Sequence, residues 1–273
     1  SFSNSAVPVS VDGITNAIGV ITGGSHACAL LEGGSIKCWG ENELGQLGNA
    51  DDQTTSNVPV SVVGIDNASQ IAAGDQSSCA LITSGAVKCW GSNYEGQLGN
   101  DSNDFNYSNT PVFVKYQSGT NLSEAIQVTG SKTWEHYCVR YTSGIAECWG
   151  NNGSGQFGDG TFNNSSSPIQ VSQITDFAFI AAGWANTCGQ RLNGAVYCWG
   201  NNDEGQIGDG TFDAKSTPGS PLNLSGVTRI DPGDLHICAL ISGNTVYCWG
   251  LNDFGQVGDG TTTGRSTPVL VNW

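Results

Sequence analysis

Short apolar runs recur along the chain, separated by polar, glycine-rich stretches. Between residues 56 and 109 the runs are Val58-Pro59-Val60-Ser61-Val62, residues 69–74, Ser78-Cys79-Ala80-Leu81-Ile82 and Val87-Lys88-Cys89-Trp90-Gly91. Each is too short for a helix, is bounded by turn formers and lacks a 3.6-residue period, so each predicts a β-strand. The first carries proline near its start, where a missing N–H disturbs a ladder least. The second, Ser-Gln-Ile-Ala-Ala-Gly, is small and apolar and suits a crowded interior. The third and fourth flank Thr83-Ser84-Gly85 and predict a hairpin.

This four-strand pattern occurs five times. Cys38-Trp39-Gly40 runs into Gly45-Gln46-Leu47-Gly48, and the same words return at Cys89, Cys148, Cys198 and Cys248. Those cysteines lie 51, 59, 50 and 50 residues apart, the signature of a modular array. The predicted fold is all-β, a β-propeller of four-stranded antiparallel blades forming one domain over residues 1–273. The repeats span about 6–55, 56–109, 110–166, 167–216 and 217–266. A Pro-Val strand at 6–11 and another at the C-terminus leave one too many, and 267–273 is taken as surplus. It has three readings: a closing strand at the seam, the start of a further repeat, or a strand donated to a neighbouring molecule.

The ten cysteines form five pairs of one spacing: Cys28 and Cys38, Cys79 and Cys89, Cys138 and Cys148, Cys188 and Cys198, Cys238 and Cys248. Each pair brackets a turn with Gly or Asn third, where a three-residue hairpin needs a left-handed backbone. Counting outward from the turn sets the two cysteines opposite each other at a non-hydrogen-bonded position, where Cβ atoms are close and a disulfide fits. Buried thiols and metal ligation are the other readings, although no C-x-x-C spacing occurs. Disulfides imply an oxidising setting: extracellular, cell-surface or periplasmic.

The pattern Gly-x-x-His-x-Cys-Ala-Leu, a hairpin, then Trp-Gly-x-Asn-x-x-Gly-Gln-Leu-Gly is carried by Gly23, His26, Ala29, Leu30, Trp39, Gly40, Asn42, Gly45, Gln46, Leu47 and Gly48. With Thr110-Pro111-Val112 opening a repeat, it resembles the regulator of chromosome condensation repeat family over essentially the whole chain. The resemblance implies a radial propeller, usually of seven blades. Its members differ in function: a nucleotide exchange factor on chromatin, a secreted β-lactamase inhibitor, adhesion and interaction modules. Function lives in sites placed on the fold. This chain is closer in style to the secreted bacterial members.

Charge supports that separation. The chain carries 24 acids against 9 Lys and Arg, a net charge of -15. A phosphate-binding surface needs clustered basic residues, so nucleic acid is not an expected partner, nor is an anionic membrane surface. No apolar run reaches the ~20 residues that cross a bilayer, and no membrane insertion is expected. The lack of methionine points to a processed or excised chain.

Candidate chemistry is sparse. His26, His136 and His236 occupy one repeat position in repeats one, three and five. They read either as metal or acid–base groups, or as a structural position that bonds a neighbouring blade. Asp159, Asp209 and Asp259 sit in Gly-Asp-Gly-Thr loops, too few carboxylates per loop for a calcium cage and well explained by Asp-Gly turns. No metal, no cofactor and no catalytic set is expected. Asn67, Asn106 and Asn121 open Asn-x-Ser sequences, relevant only to a glycosylating host.

The repeats differ most after the Ala-Ala-Gly strand. His26, Gln76, Trp134, Glu135, Trp184, Asn186, Asp234 and His236 lie there, predicted to ring the channel mouth on one face. Trp134 and Trp184 fall outside the five repeated Trp-Gly positions, and aromatics on polar loops suit binding anchors; the other reading is that they fold back as caps. A second variable region, 100–109 and 117–124, stretches one repeat to 59 residues. The expected function is non-catalytic binding of a macromolecule, protein rather than glycan. The alternative is a structural subunit that self-associates by terminal strand addition.

Overall fold

The structure is a computed structural model that describes residues 6–102, 104, 106–221 and 224–272. Residues 103 and 105 of the predicted insert and residue 273 of the predicted terminal strand lie outside the described residues. Among the described residues, twenty strands form five antiparallel sheets of four. Blade one is β1 (Ala17–Thr22), β2 (His26–Leu31), β3 (Ile36–Glu41) and β4 (Thr55–Ser61). Blade two is β5 (Ala68–Ala73), β6 (Ser77–Ile82), β7 (Val87–Gly91) and β8 (Ser108–Phe113). Blade three is β9 (Ala125–Gly130), β10 (His136–Tyr141), β11 (Ala146–Gly150) and β12 (Ser165–Gln170). Blade four is β13 (Phe177–Ala182), β14 (Asn186–Arg191), β15 (Val196–Gly200) and β16 (Lys215–Gly219). Blade five is β17 (Val227–Pro232), β18 (His236–Ile241), β19 (Thr245–Gly250) and β20 (Arg265–Leu270).

The blades are offset from the sequence periods by one strand. Each Pro-containing strand pairs with the Cys-Trp-Gly strand before it, as in Cys38↔Val60 and Cys89↔Val112. The loop after Trp-Gly folds back to add the next strand to the edge of the Cys-Trp-Gly strand, and the next short link carries the chain to the first strand of the following blade. The C-terminal strand is therefore not surplus: β20 is the fourth strand of blade five, with Cys248 opposite Val269. Among the described residues, 6–11 carry no strand.

The predicted hairpins hold. Gly34, Gly85, Gly144, Gly194 and Asn244 all have positive φ at the third turn position. Each cysteine faces its partner in register, and all five pairs are disulfides. The glycine after each repeated tryptophan is equally constrained: Gly40 has φ 111°, and a Cβ there would lie 2.5 Å from the Ser25 carbonyl.

Neighbouring blades are locked by one repeated bond. The Trp90 indole N–H donates to the Gln46 carbonyl of the previous blade at 2.9 Å. Trp149, Trp199 and Trp249 do the same to Gln97, Gln156 and Gln206. These four rings are fully buried, whereas Trp39 of blade one is half-buried and makes no such bond among the described residues. The repeated Asn supports that carbonyl: Asn42 Oδ1 accepts from Leu47 N while its amide donates across the loop to the Asp51 and Gln53 carbonyls. The motif residues that agree between repeats are thus the blade-to-blade joint.

Register also defines two faces. His26 pairs with Gly40, and Gly40 with Ser56, so residues 23–25 and the loop 42–54 lie at one end of blade one. That end is the loop face. Hairpin turns such as 32–34 lie at the opposite end, the hairpin face.

Candidate functional site

The residues singled out by sequence divide into interior and surface groups. His26 is buried between blades one and two, with Nε2 2.7 Å from Ser78 Oγ. His136 does the same between blades three and four, with Nε2 2.9 Å from Thr187 Oγ1. Burial holds His26 down near pKa 4 and His136 near 3. These imidazoles take the structural role. Asn186 occupies the same position in blade four, but blade five offers Ile237 there, and both polar atoms of its side chain lack a partner among the described residues. His236, at that position in blade five, is half-buried.

The Asp-Gly loops are likewise internally satisfied. Asp259 accepts from Thr261 and pairs with Arg265 at 2.5 Å, and Asp209 accepts from Thr211 and pairs with Lys215 at 3.4 Å.

Trp134 and Trp184 come together on the loop face. Their rings meet edge-to-face, centroids 5.3 Å apart at 77°. Ser131 fixes the pair: its hydroxyl donates to the Trp184 carbonyl at 2.6 Å and accepts from Trp134 N at 3.2 Å. Trp134 stays 37% exposed, so the pair is a surface feature joining blades three and four and not an interior cap. Beside it lies a cleft of about 290 Å³ lined by Gln76, Tyr94, Glu95, Trp134 and Asn151 among others. Asp234 is exposed and shares a smaller recess with Lys132.

Tyr94 and Glu95 were not singled out by the sequence. Tyr94 is 56% exposed. Its signal was present: the position lies between the invariant Asn and Gly of the Trp-Gly loop, where the other repeats carry Glu43, Gly153, Asp203 and Asp253.

Glu135 is buried directly behind Trp134. It holds φ 47°, a left-handed conformation uncommon for glutamate. Oε1 accepts from Gln76 N at 2.6 Å, and Oε2 accepts from Ser77 Oγ, which in turn is 2.7 Å from Tyr137 OH. Burial pushes its pKa from 4.5 up to about 7. The folded state therefore holds its proton more tightly than the unfolded chain. Its contribution is fully present below pH 4.5 and is lost as pH rises through 7. The buried histidines act oppositely, losing stability as pH falls from 6.5 towards 4. Glu135→Gln keeps the acceptor for Gln76 N and removes the ionisation. Denaturation midpoints should show it stabilised by roughly 2–3 kcal/mol at pH 8 and close to neutral at pH 4.5. An equal effect at both pH values would mean that Glu135 does not titrate in this window.

The family described as RCC1-like domain matches residues 3–272. Among curated proteins, the probable E3 ubiquitin-protein ligase HERC4 of Homo sapiens is 32% identical over 159 residues, covering 57% of this chain and 14% of that protein. The chain thus spans a small part of that relative's length. The crystal structure of human WBSCR16 superposes with a TM-score of 0.80 at 22% identity, covering 94% of this chain and 67% of that one. Prp20p from Saccharomyces cerevisiae, described with its binding properties to Gsp1p and histones, gives a TM-score of 0.74 at 23% identity, covering 94% and 65%. At these identities the structural likeness is one of fold.

Proposed function

The chain belongs to the RCC1-like domain family, and from that premise we propose that it is a non-catalytic propeller that binds a protein partner through its loop face. The observation that carries this reading is the Trp134–Trp184 pair beside a cleft that Trp134 and exposed Tyr94 line, on loops that are otherwise polar. Interface energy concentrates in such aromatic anchors, held rigid and ringed by polar groups. Ser131 pre-organises the tryptophans, so little side-chain freedom is lost on docking. The non-catalytic part of the reading is supported by His26 and His136, whose Nε2 atoms are committed to blade joints. The acidic charge favours protein over nucleic acid. Five disulfides suit an extracellular, cell-surface or periplasmic setting. Assembly by donation of the C-terminal strand has less support, because β20 completes blade five.

A photo-crosslinking residue at exposed Thr133 should capture a discrete protein partner, and one at Ser143 on the hairpin face should not capture the same species. Trp134→Ala with Trp184→Ala should weaken that partner at least about 30-fold, the scale of anchor residues at an interface, while leaving the fold intact by circular dichroism. Unchanged binding by the double variant would overturn the reading.

A further inference from the structure

A separate cleft lies on the hairpin face. Blades two and three, with the long connection between them, enclose about 650 Å³, the size of a small-ligand or side-chain site. The connection that stretches this repeat to 59 residues builds one wall. It folds through a Lys115↔Asn121 bridge and a Tyr116 N to Thr120 carbonyl bond, which sets the Tyr116 side chain into the cleft.

The lining combines three kinds of group. Tyr116 and Tyr141 supply aromatic walls, their hydroxyls 2.8 Å apart. Ser84, Ser123, Thr142 and Ser143 edge the opening with hydroxyls. Glu124 and Glu147 are the charged residues of the lining, and among the described residues neither has an ion-pair partner. Glu147 accepts from Tyr141 OH at 2.5 Å through one carboxylate oxygen. Both carboxylates share the lining with Tyr116, whose pKa burial raises most and Glu147 and Glu124 raise further.

We propose that this cleft binds an arginine side chain of a basic polypeptide segment. Two uncompensated carboxylates beside tyrosine rings favour a cation. A planar guanidinium stacks on a phenol ring and forks to a carboxylate, which a compact ammonium does less well. The cleft exceeds one side chain in volume, and its hydroxyl-lined mouth offers partners to the flanking main chain. A neutral glycan would satisfy the hydroxyls and leave the carboxylates unmatched.

The test uses the intact, disulfide-bonded protein and two blocked tripeptides, Gly-Arg-Gly and its uncharged isostere Gly-citrulline-Gly, titrated by amide NMR. The arginine peptide should shift the amides of Gly85, Glu124 and Ser143, and the citrulline peptide should bind at least about ten-fold more weakly. Glu147→Gln should weaken the arginine peptide by a similar factor. Glu124→Gln, at an exposed position, serves as the second variant should Glu147→Gln impair folding. Trp134→Ala should leave this binding unchanged, which separates it from the loop-face reading. Equal binding of both peptides, shifts confined to the loop face, or no shift at about 10 mM peptide, the weak end of specific affinity, would each overturn the proposal.

Discussion

Refolded in reductant, this protein should fail to regain its cooperative thermal transition. Each disulfide closes a loop of sequence separation 10, one per blade. In the loop-entropy account such a closure stabilises by about 2–3 kcal/mol. Five in separate sheets are far enough apart to act nearly independently. Together they reach about 10–15 kcal/mol, comparable with the whole net stability of an ordinary domain. Nine of the ten cysteines are buried, with Cys238 only partly so, so reductant added to the folded protein should act slowly and through opening. The informative comparison is therefore between protein unfolded, reduced and refolded with reductant and protein refolded without it, each melted by circular dichroism. Melting temperatures within about 5 °C of each other, a difference worth only 1–2 kcal/mol in a domain of this size, would show that the bridges are ornaments on a self-sufficient core.

How much of this was legible in the sequence follows from what kind of constraint each residue meets. The hairpins were legible because their constraint is local: glycine or asparagine at the third turn position fixes the register, and register sets Cys28 opposite Cys38. The blade boundary was not, because the strand at Thr55–Ser61 is covalently followed by β5 and yet hydrogen-bonded to β3. Sequence proximity favoured the wrong neighbour. Glu135 was expected at the surface because the loop around it is polar. A single left-handed residue turns its carboxylate inward to Ser77 of the adjacent blade, and nothing in the loop's composition marks that. For the histidines the sequence left a metal or acid–base role and an inter-blade bond both open, and set His26 and His236 among the binding residues; the partner hydroxyls of His26 and His136, Ser78 and Thr187, lie about one repeat away and are seen only in the fold. Tyr94 shows the converse: an aromatic where the sister repeats carry acidic residues or glycine was visible, and only its exposure beside Trp134 gives it meaning.

The five repeated tryptophans look identical in sequence, and substitution should show that they are not. Trp149→Ala should cost about 4–6 kcal/mol. Removing a fully buried aromatic from a packed core costs roughly 3–5 kcal/mol, and the abandoned Gln97 carbonyl adds about 1 kcal/mol or more. The ring is completely buried, stacks on Tyr137 at 6.0 Å, and seats against Gly99, where an added Cβ would come within 2.7 Å of its Nε1. Little can move in to fill the space. Trp149→Phe should retain most of the packing and lose the bond to Gln97, for roughly 1–3 kcal/mol. Trp39 sits at the same repeat position but is half-buried, with no preceding blade among the described residues to receive its indole N–H. Trp39→Ala should therefore cost about 1–2 kcal/mol, the share that half-burial supplies. Urea denaturation of the three variants orders them Trp149→Ala, then Trp149→Phe, with Trp39→Ala at most equal to the latter. Equal losses at Trp39 and Trp149 would place the energetic role of the motif inside each blade, in the hairpin it shares with the disulfide, and not in the joint between blades.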